Sequence, residues 1–387
     1  MSGSLVIDDI GLLVTNDPER GEGALGLVRD AALVVEEDRI SAIEPVGAAG
    51  DERVDAAGGC VIPGFVDSHT HLVFAGDRAE EFAARMAGRP YGAGGIRLTT
   101  AATRAASTRD LQGLTERRRA EGLRAGITHV EVKSGYGLDV DSERRLCEVA
   151  DGFTDDVTFL GAHVVPAEYE GRADDYVALV CGEMLAACAP HARWIDVFCE
   201  RGAFDEDQSR AVLEAGRDAG LGLRVHGNQL GPGAGAKLAV QMGAASVDHC
   251  TYLDDEDIEA LAGSDTVATF LPATDFSTRQ PYPDARRAID AGVRVAIATN
   301  TNPGSSNTTA MGFCIALAVR DMGMTIEEAL MAATVGGAAA LRRDDVGRLT
   351  PGARADAAIL RARSYADFVY RPGVPLVRSA LARGRLV

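Results

Sequence analysis

Short apolar runs separated by turn residues occupy both ends of the chain. They are too short for helices and have the pattern of β-strands. The strand candidates are Leu5–Ile7, Gly11–Val14, Ala32–Val35 and Arg39–Ile43 near the start, and Gly347–Leu349, Ala357–Leu360 and Val377–Leu381 near the end. We therefore expect the two ends, residues 1–60 and 347–387, to pair into one small β domain.

Between these ends, strand-like apolar runs alternate with helix-like segments. The strand candidates are Val61–Val66, Ile127–Val132, Val157–Val164, Trp194–Cys199, Leu223–His226, Ser246–His249, Val267–Leu271 and Val293–Ala298. The helix candidates are Leu111–Ala125, Asp174–Cys188, Asp205–Ala219, Asp254–Ala262 and Thr325–Ala333. This alternation amounts to about eight βα units, which favours a closed parallel barrel over an open sheet. The predicted fold class is α/β, with a (β/α)8 TIM-like barrel over residues 61–346.

Polar residues cluster where the predicted strands end. The loops that leave the carboxyl ends of barrel strands build the active site. Five of the seven histidines fall at such ends, namely His69, His71, His163, His226 and His249. Lys133, Tyr136 and Asn300 also follow predicted strands, whereas His129 and His191 lie elsewhere and are interpreted as structural.

The segment Val66–His71 carries the clearest chemical signal. In an extended strand successive side chains alternate between faces, so His69 and His71 point the same way and are close enough to hold one metal ion. The alternative interpretation is a pair of buried, hydrogen-bonded structural histidines. We favour a metal site because two of the few histidines stand at strand spacing after a Pro-Gly pair.

Composition excludes several classes of partner. The chain of 387 residues has a formal net charge of −18, spread along its length, which argues against nucleic acid or an anionic membrane surface as a partner. An anionic substrate must therefore meet a local cation. The seven cysteines are widely spaced without CxxC pairs, so we interpret them as reduced thiols. No leader or membrane-spanning segment is evident, and we expect a cytoplasmic protein.

Several ordered motifs resemble a known family. Residues 70–78, 131–138, 159–163, 197–200 and 302–306 look like the corresponding motifs of the imidazolonepropionases, within the metal-dependent amidohydrolase superfamily. That superfamily combines a barrel with a β-sandwich split between the two termini, so the resemblance implies a small β-sandwich domain here. It also implies a homodimer, as in that family.

The resemblance implies a reaction and a metal. The family hydrolyses the cyclic amide of 4-imidazolone-5-propanoate, a small anionic heterocycle, to N-formimidoyl-L-glutamate in histidine degradation, using bound zinc or iron. His69, His71 and His226 resemble its nitrogen ligands, with one ion per chain. The ion makes bound water acidic enough to attack near neutral pH. His249 resembles the histidine that polarises the ring carbonyl, although a satisfied core histidine beside Asp248 is the alternative.

The resemblance also implies a substrate site. Arg78 is the candidate partner for the propanoate carboxylate, because a guanidinium fork matches two oxygens; a solvated arginine at a helix start is the alternative. The other residues that resemble substrate contacts are Tyr136, His163, Gln229, Asn302, Gly304 and Ser305. Tyr136 could instead pack in its loop, and Asn302–Ser306 could be a simple turn. We assign Lys133 a structural or electrostatic role and not that of a carboxylated, metal-bridging lysine.

One residue departs from the family pattern. The family has Thr-Asp-x-Asn-Pro-Gly after strand eight, and this chain has Asn300 where the aspartate stands. An amide oxygen ligates weakly and cannot accept a proton near neutral pH. Loss of a general base typically costs about 10² to 10⁴ in rate. Three explanations are open: a substitution introduced to trap substrate, a diverged enzyme acting on a related imidazolone-like acid, or a binding paralogue without hydrolysis.

Overall fold

The structure is a computed structural model that describes residues 3–89 and 95–387. Within these residues the strands are β1 (Ser4–Val14), β2 (Leu27–Glu36), β3 (Arg39–Pro45), β4 (Glu52–Asp55), β5 (Cys60–Pro63), β6 (Phe65–Asp67), β7 (Ile127–Val130), β8 (Val132–Lys133), β9 (Val157–Ala162), β10 (Trp194–Cys199), β11 (Gly222–Gly227), β12 (Ser246–His249), β13 (Val267–Phe270), β14 (Val295–Ile297), β15 (Ala357–Leu360), β16 (Val377–Ala382) and β17 (Arg385–Leu386).

The helices alternate with these strands through the middle of the chain. In the described residues they are α1 (Ala79–Met86), α2 (Ile96–Ala105), α3 (Thr108–Arg124), α4 (Val140–Asp151), α5 (Ala173–Leu179), α6 (Leu185–Cys188), α7 (Glu206–Asp218), α8 (Gly235–Met242), α9 (Asp255–Ala262), α10 (Pro272–Thr278), α11 (Ala285–Asp290), α12 (Met311–Asp321), α13 (Ile326–Met331), α14 (Gly337–Ala340) and α15 (Asp367–Tyr370). No helix in the described part of the chain is both long enough and apolar enough to cross a membrane.

The chain forms two compact units, as far as its residues are described. The first comprises Met1–Asp67, Ala120–His129 and Thr309–Val387, and the second comprises Ser68–Arg119 and Val130–Thr308. The predicted boundaries, 1–60 with 347–387 and 61–346, stay a prediction.

The first unit contains one eight-stranded sheet built from both ends of the chain. Its order is β17-β16-β15-β5-β1-β2-β3, with β4 paired to β1. The apolar side chains of these strands form one buried cluster that includes Ile7, Leu33, Val61, Ile359 and Leu381. The prediction that the two ends pair is therefore confirmed, through β5 and β15, which run antiparallel.

One predicted strand is absent from this sheet. Residues Gly347–Leu349 are not in a strand, because Gly347 has a φ of +74°, outside the extended region. Leu349 is nonetheless buried in the core cluster, and its N–H donates to Thr15 O at 2.9 Å. The apolar character of Leu349 therefore predicts its burial correctly but does not show that its backbone is extended.

The second unit is built on a parallel sheet. Strands β8 to β14 lie side by side in chain order, and every neighbouring pair is parallel. Each of the predicted strand runs from Val157 to Ala298 overlaps one of these strands, β9 to β14. The mixed α/β fold is confirmed.

The segment that follows β6 is hydrogen-bonded to both edges of this sheet. On one side His69 O accepts from Asn300 N at 3.0 Å, and His71 N donates to Thr301 O at 2.9 Å. On the other side Thr70 O accepts from Lys133 N at 2.9 Å. The His-x-His segment is thereby held between the residues that follow β14 and strand β8.

Three predicted helices begin at side chains that cap them. Asp205, Asp254 and Thr325 each accept a hydrogen bond from the backbone N–H three residues later, and the residue there reciprocates, so each forms a capping box. Two of the four acidic residues at the start of α9, Asp254 and Asp257, are therefore explained by helix capping.

Candidate active site

Four buried histidines converge at the carboxyl ends of the sheet strands. The ring centroids of His69 and His226 are 4.5 Å apart, those of His69 and His71 are 5.3 Å apart, and those of His226 and His249 are 5.4 Å apart. Each of these side chains is at most 3% exposed. The ring of His163 stacks on His71 at 5.4 Å. Parallel strands thus bring residues from positions 69 to 249 into one cluster.

The tightest convergence of ring nitrogens involves His69, His226 and His249. One nitrogen of each lies within 4.8 Å of the others, the spacing expected of groups that could share an ion. The sequence predicts His71 as the third ligand, whereas here His249 completes the closest trio. His71 stays within 5.6 Å of His226, measured between ring centroids.

Two carboxylates hold the central imidazoles from behind. Asp248 Oδ2 lies 2.7 Å from His69 Nδ1, and Asp196 Oδ2 lies 3.0 Å from His226 Nδ1. The Nε2 atoms of both histidines are buried without a protein partner. A carboxylate behind a histidine fixes the ring and raises its basicity as a ligand. The donor set therefore fits a metal ion.

Burial favours the neutral form of these histidines. It is the main cause that holds the pKa of His69, His71 and His249 well below the ordinary value, and the nearby Lys133 ammonium contributes in the same direction. A neutral imidazole carries the lone pair that a metal needs. Imidazole nitrogens suit both zinc and iron.

A network of five fully buried charges lies behind the histidines. Lys133 Nζ is 2.8 Å from Glu131 Oε1, 2.8 Å from Asp196 Oδ2 and 3.7 Å from Asp248 Oδ2, and Arg224 Nη2 is 3.0 Å from Asp248 Oδ2. Burial alone would lower the pKa of Lys133, but the carboxylates of Asp196 and Glu131 outweigh it and raise that pKa. An ammonium held in this way agrees with the electrostatic role expected for Lys133.

The cluster opens into a cavity in the same unit. The predicted site residues that line this cavity are His71, Arg78, Tyr136, His163, His226, Gln229, His249, Asn300, Asn302 and Ser305. His69 lies behind them. Gly304 is in close contact with Arg78, because a Cβ built on Gly304 would lie 2.1 Å from Arg78 Nη1.

Arg78 faces the cavity with its fork already engaged by a carboxylate. Its Nε is 2.7 Å from Glu81 Oε2 and its Nη2 is 2.8 Å from Glu81 Oε1. The side chain is 5% exposed, so it is not the solvated arginine of the alternative interpretation. Glu81 orients the guanidinium and would share it with any bound anion.

Asn302 organises the loop in which it lies. Its Oδ1 accepts from the N–H groups of Gly304 and Ser305, both at 2.8 Å, and its Nδ2 donates to Asn300 O at 2.7 Å and Ser305 Oγ at 2.9 Å. The amide is thus used within the loop, and the loop presents its own groups to the cavity.

Asn300 is placed at the edge of the histidine cluster. It has a φ of +51°, a left-handed conformation that asparagine and aspartate tolerate better than most residues. Its Nδ2 donates to Thr274 Oγ1 at 2.8 Å, and its Oδ1 is buried without a protein partner. Asn300 lines the same cavity as the histidines, so its amide oxygen is a candidate neutral member of the donor set.

Several residues that shape the site are not predicted from the sequence. Glu200 accepts from the backbone N–H groups of Gln229 and Leu230, both at 2.9 Å, and so holds the loop after β11. Asp196 and Asp248 stand inside apolar strand runs, and a charge in such a run is the signal that could have indicated a buried partner.

Comparison with known proteins defines the class. Residues 60–387 match the amidohydrolase family, which is the greater part of the chain. The chain therefore belongs to the amidohydrolase family. Within this family the chain belongs to the imidazolonepropionases, as its motifs predict: imidazolonepropionase from Salinispora arenicola (strain CNS-205) is 62% identical over 385 residues, 98% of each chain. That from Streptomyces coelicolor is 61% identical over 387 residues, 99% of each chain.

Solved structures agree on the fold. A triazine hydrolase from Arthrobacter aurescens matches with a TM-score of 0.77 at 18% identity, over 99% of this chain and 94% of that one. An atrazine chlorohydrolase from the same species, complexed with zinc, matches with a TM-score of 0.72 at 17% identity, over 99% and 94%. A guanine deaminase matches with a TM-score of 0.72 at 14% identity, over 99% and 100%.

Proposed function

We propose that this chain hydrolyses the cyclic amide of 4-imidazolone-5-propanoate to N-formimidoyl-L-glutamate, a step of histidine degradation. The observation that carries the proposal is the full-length identity of 62% to imidazolonepropionases. Support comes from a cavity that joins an imidazole cluster to Arg78, since the substrate needs both a hydrolytic centre and a cation for its carboxylate.

We assign one zinc or iron ion to His69, His71 and His226, with the Oδ1 atom of Asn300 as a neutral fourth ligand. Bound there, the ion would polarise the ring carbonyl and lower the pKa of water. Two observations support this set: the buried nitrogens and oxygen without protein partners, and the backbone bonds that tie His69 and His71 to residues 300 and 301. His249 is assigned to the carbonyl oxygen, because its ring nitrogen reaches the same centre.

The remaining cavity residues are assigned to the substrate. Arg78 binds the propanoate carboxylate, sharing its fork with Glu81. Tyr136, His163 and Gln229 contact the body of the substrate, and the loop containing Asn302, Gly304 and Ser305 closes over it. All of these except Gly304 line the one cavity, which supports a common ligand.

The finer architecture is also a proposal. We infer that the segment 69–71 closes β8 to β14 into an eight-stranded barrel, which its hydrogen bonds to residues 133, 300 and 301 support. We infer that the eight-stranded sheet folds over its apolar cluster as a β-sandwich, since that cluster draws on β1, β2, β5, β15 and β16. The homodimer and the cytoplasmic location remain predictions.

Asn300 affects the turnover rate that the proposed function predicts for this chain. An amide cannot take the proton that a carboxylate would, so turnover in this chain should be slow. The test is metal analysis combined with an assay on 4-imidazolone-5-propanoate, for the chain as given and for Asn300→Asp. The proposal requires metal in both proteins and turnover that rises on Asn300→Asp.

The same experiment separates the alternatives. A diverged enzyme would bind metal but ignore this substrate even after Asn300→Asp. A binding paralogue would show saturable affinity, lost on Arg78→Ala, without turnover. Absence of turnover from both proteins would refute the proposed function, and absence of metal as well would refute any metal-dependent enzyme.

A further inference from the structure

Glu143 is a fully buried carboxylate that the reaction does not use. It lies in the first turn of α4 and accepts three backbone hydrogen bonds: from Gly135 N at 2.9 Å, from Gly137 N at 2.6 Å and from Leu138 N at 2.8 Å. A carboxylate that gathers several N–H groups of one loop fixes the course of that loop.

The local sequence explains how Glu143 reaches back. Asp139 caps α4 by accepting from Ser142 N at 2.8 Å, so the helix begins directly after the loop 134–138 and its first turn folds over that loop. Gly137 leaves room for this contact, because a Cβ there would lie 2.6 Å from the backbone nitrogen of Glu143. Gly135 has a φ of +102°, which favours glycine.

The loop that Glu143 holds carries two groups of the cavity. Tyr136 lines the cavity directly. The carbonyl of Gly135 lies 2.9 Å from His163 Nδ1. Because a carbonyl oxygen can only accept, Nδ1 of His163 carries a proton, and in the neutral ring Nε2 is then the hydrogen-bond acceptor. The loop therefore sets the position of a tyrosine and the tautomer of a histidine.

We propose that Glu143 is a positioning residue for substrate binding, acting through the loop 134–138 to hold Tyr136 and His163. The proposal rests on the proposed function, since it assigns those two side chains to the substrate. It also specifies the chemistry that His163 offers: with Nδ1–H committed to Gly135, the neutral ring accepts at Nε2 from an N–H donor of the substrate.

The test is Glu143→Gln, with Glu148→Gln as the matched control on α4. Glutamine keeps the shape but offers one acceptor oxygen and places an NH₂ against backbone donors. Glu148 pairs with Arg144 on the same helix and provides a glutamate without bonds to the loop 134–138. We expect hydrogen exchange of amides 135–138 to accelerate in Glu143→Gln and not in the control.

The kinetic readout separates positioning from general stability. We expect KM for 4-imidazolone-5-propanoate to rise roughly tenfold, with kcat changed less than about threefold and metal content unchanged. Faster exchange without a change in KM overturns the functional role, and unchanged exchange overturns the structural one. A fall in kcat as large as the rise in KM, together with loss of bound metal, would also overturn the proposal.

A second variant keeps the test open if Glu143→Gln folds poorly. Gly137→Ala leaves the charge in place but forces the loop away from Glu143, and should give the same rise in KM. If the unaltered chain and Asn300→Asp both lack turnover, the proposed function fails. The loop proposal is then judged by exchange and by direct binding of 4-imidazolone-5-propanoate in calorimetry, where Glu143→Gln must weaken binding.

Discussion

The side-chain amide of Asn300 donates to the hydroxyl of Thr274 at 2.8 Å, and this bond leaves the Oδ1 of Asn300 buried without a protein partner. A carboxylate at this position would be symmetric, so either oxygen could face the histidines. An amide is not symmetric, and its value as a ligand depends on which end is turned to Thr274. Thr274 therefore matters more to this chain than it would to one with aspartate.

Removing the Thr274 hydroxyl should show how far the orientation of the Asn300 amide depends on it. Thr274→Val leaves the Asn300 NH₂ without its acceptor, and we expect kcat to fall about three- to tenfold, as for one lost hydrogen bond. In the Asn300→Asp background the same change should cost less. Thr278→Val is the control, because the Thr278 hydroxyl bonds to Thr274 O on the same helix. Equal losses in both backgrounds would contradict the explanation.

The carboxylates behind the histidines should set metal affinity. Asp248→Asn and Asp196→Asn each weaken the anchor of one ligand, and we expect metal affinity to fall roughly tenfold to a hundredfold. Competition with a chelator measures this directly. Asp156→Asn is the control, because Asp156 is a buried carboxylate that accepts from Trp194 Nε1 at 2.9 Å. An unchanged metal affinity in Asp248→Asn and Asp196→Asn would show that these carboxylates do not support the metal ligands.

The paired N–H donors of Arg78 should contribute to substrate binding in addition to its positive charge. Arg78→Lys keeps the charge but loses the paired donors, and we expect KM to rise about tenfold to a hundredfold with little change in kcat. Steady-state kinetics on the Asn300→Asp enzyme give the cleanest measurement. Arg97→Lys alters an arginine on α2 that is 63% exposed and serves as the control. An unchanged KM in Arg78→Lys would indicate that the substrate carboxylate does not bind to the paired donors of Arg78.

How far the sequence predicts this site depends on the range of the interactions. The strands and the capped helices follow from local signals, so Asp205, Asp254 and Thr325 mark helix starts correctly. The histidines at strand ends are predictable because parallel strands share one active edge. The rule of alternation also places His69 and His71 on one face.

The remaining features depend on contacts that no local pattern encodes. Lys133 and Asp196 are 63 residues apart, yet their side chains are 2.8 Å apart. Which histidine approaches the centre of the cluster, His71 or His249, is decided by ring orientation and not by strand spacing. The role of Glu143 depends on α4, which is not among the helices predicted above.

Asp275 should give the fold a distinctive pH dependence. It is buried and accepts from Thr251 Oγ1 at 2.9 Å, and burial raises its pKa from 3.8 to about 8. Between these values the unfolded chain has lost the proton that the folded chain keeps. Unfolding then releases a proton, so the free energy of unfolding falls as pH rises from about 4 to about 8, by at most about 1.4 kcal/mol per pH unit.

Asp275→Asn removes this contribution, so its stability relative to the unaltered chain should increase steadily from pH 5 to pH 8. Urea unfolding at each pH measures the difference, and because both proteins carry the same histidines, the pH dependence of metal binding cancels. Asp290→Asn, which alters a carboxylate that is 68% exposed, is the control. A difference between Asp275→Asn and the unaltered chain that stays constant across this range would mean that Asp275 is ionised in the folded protein.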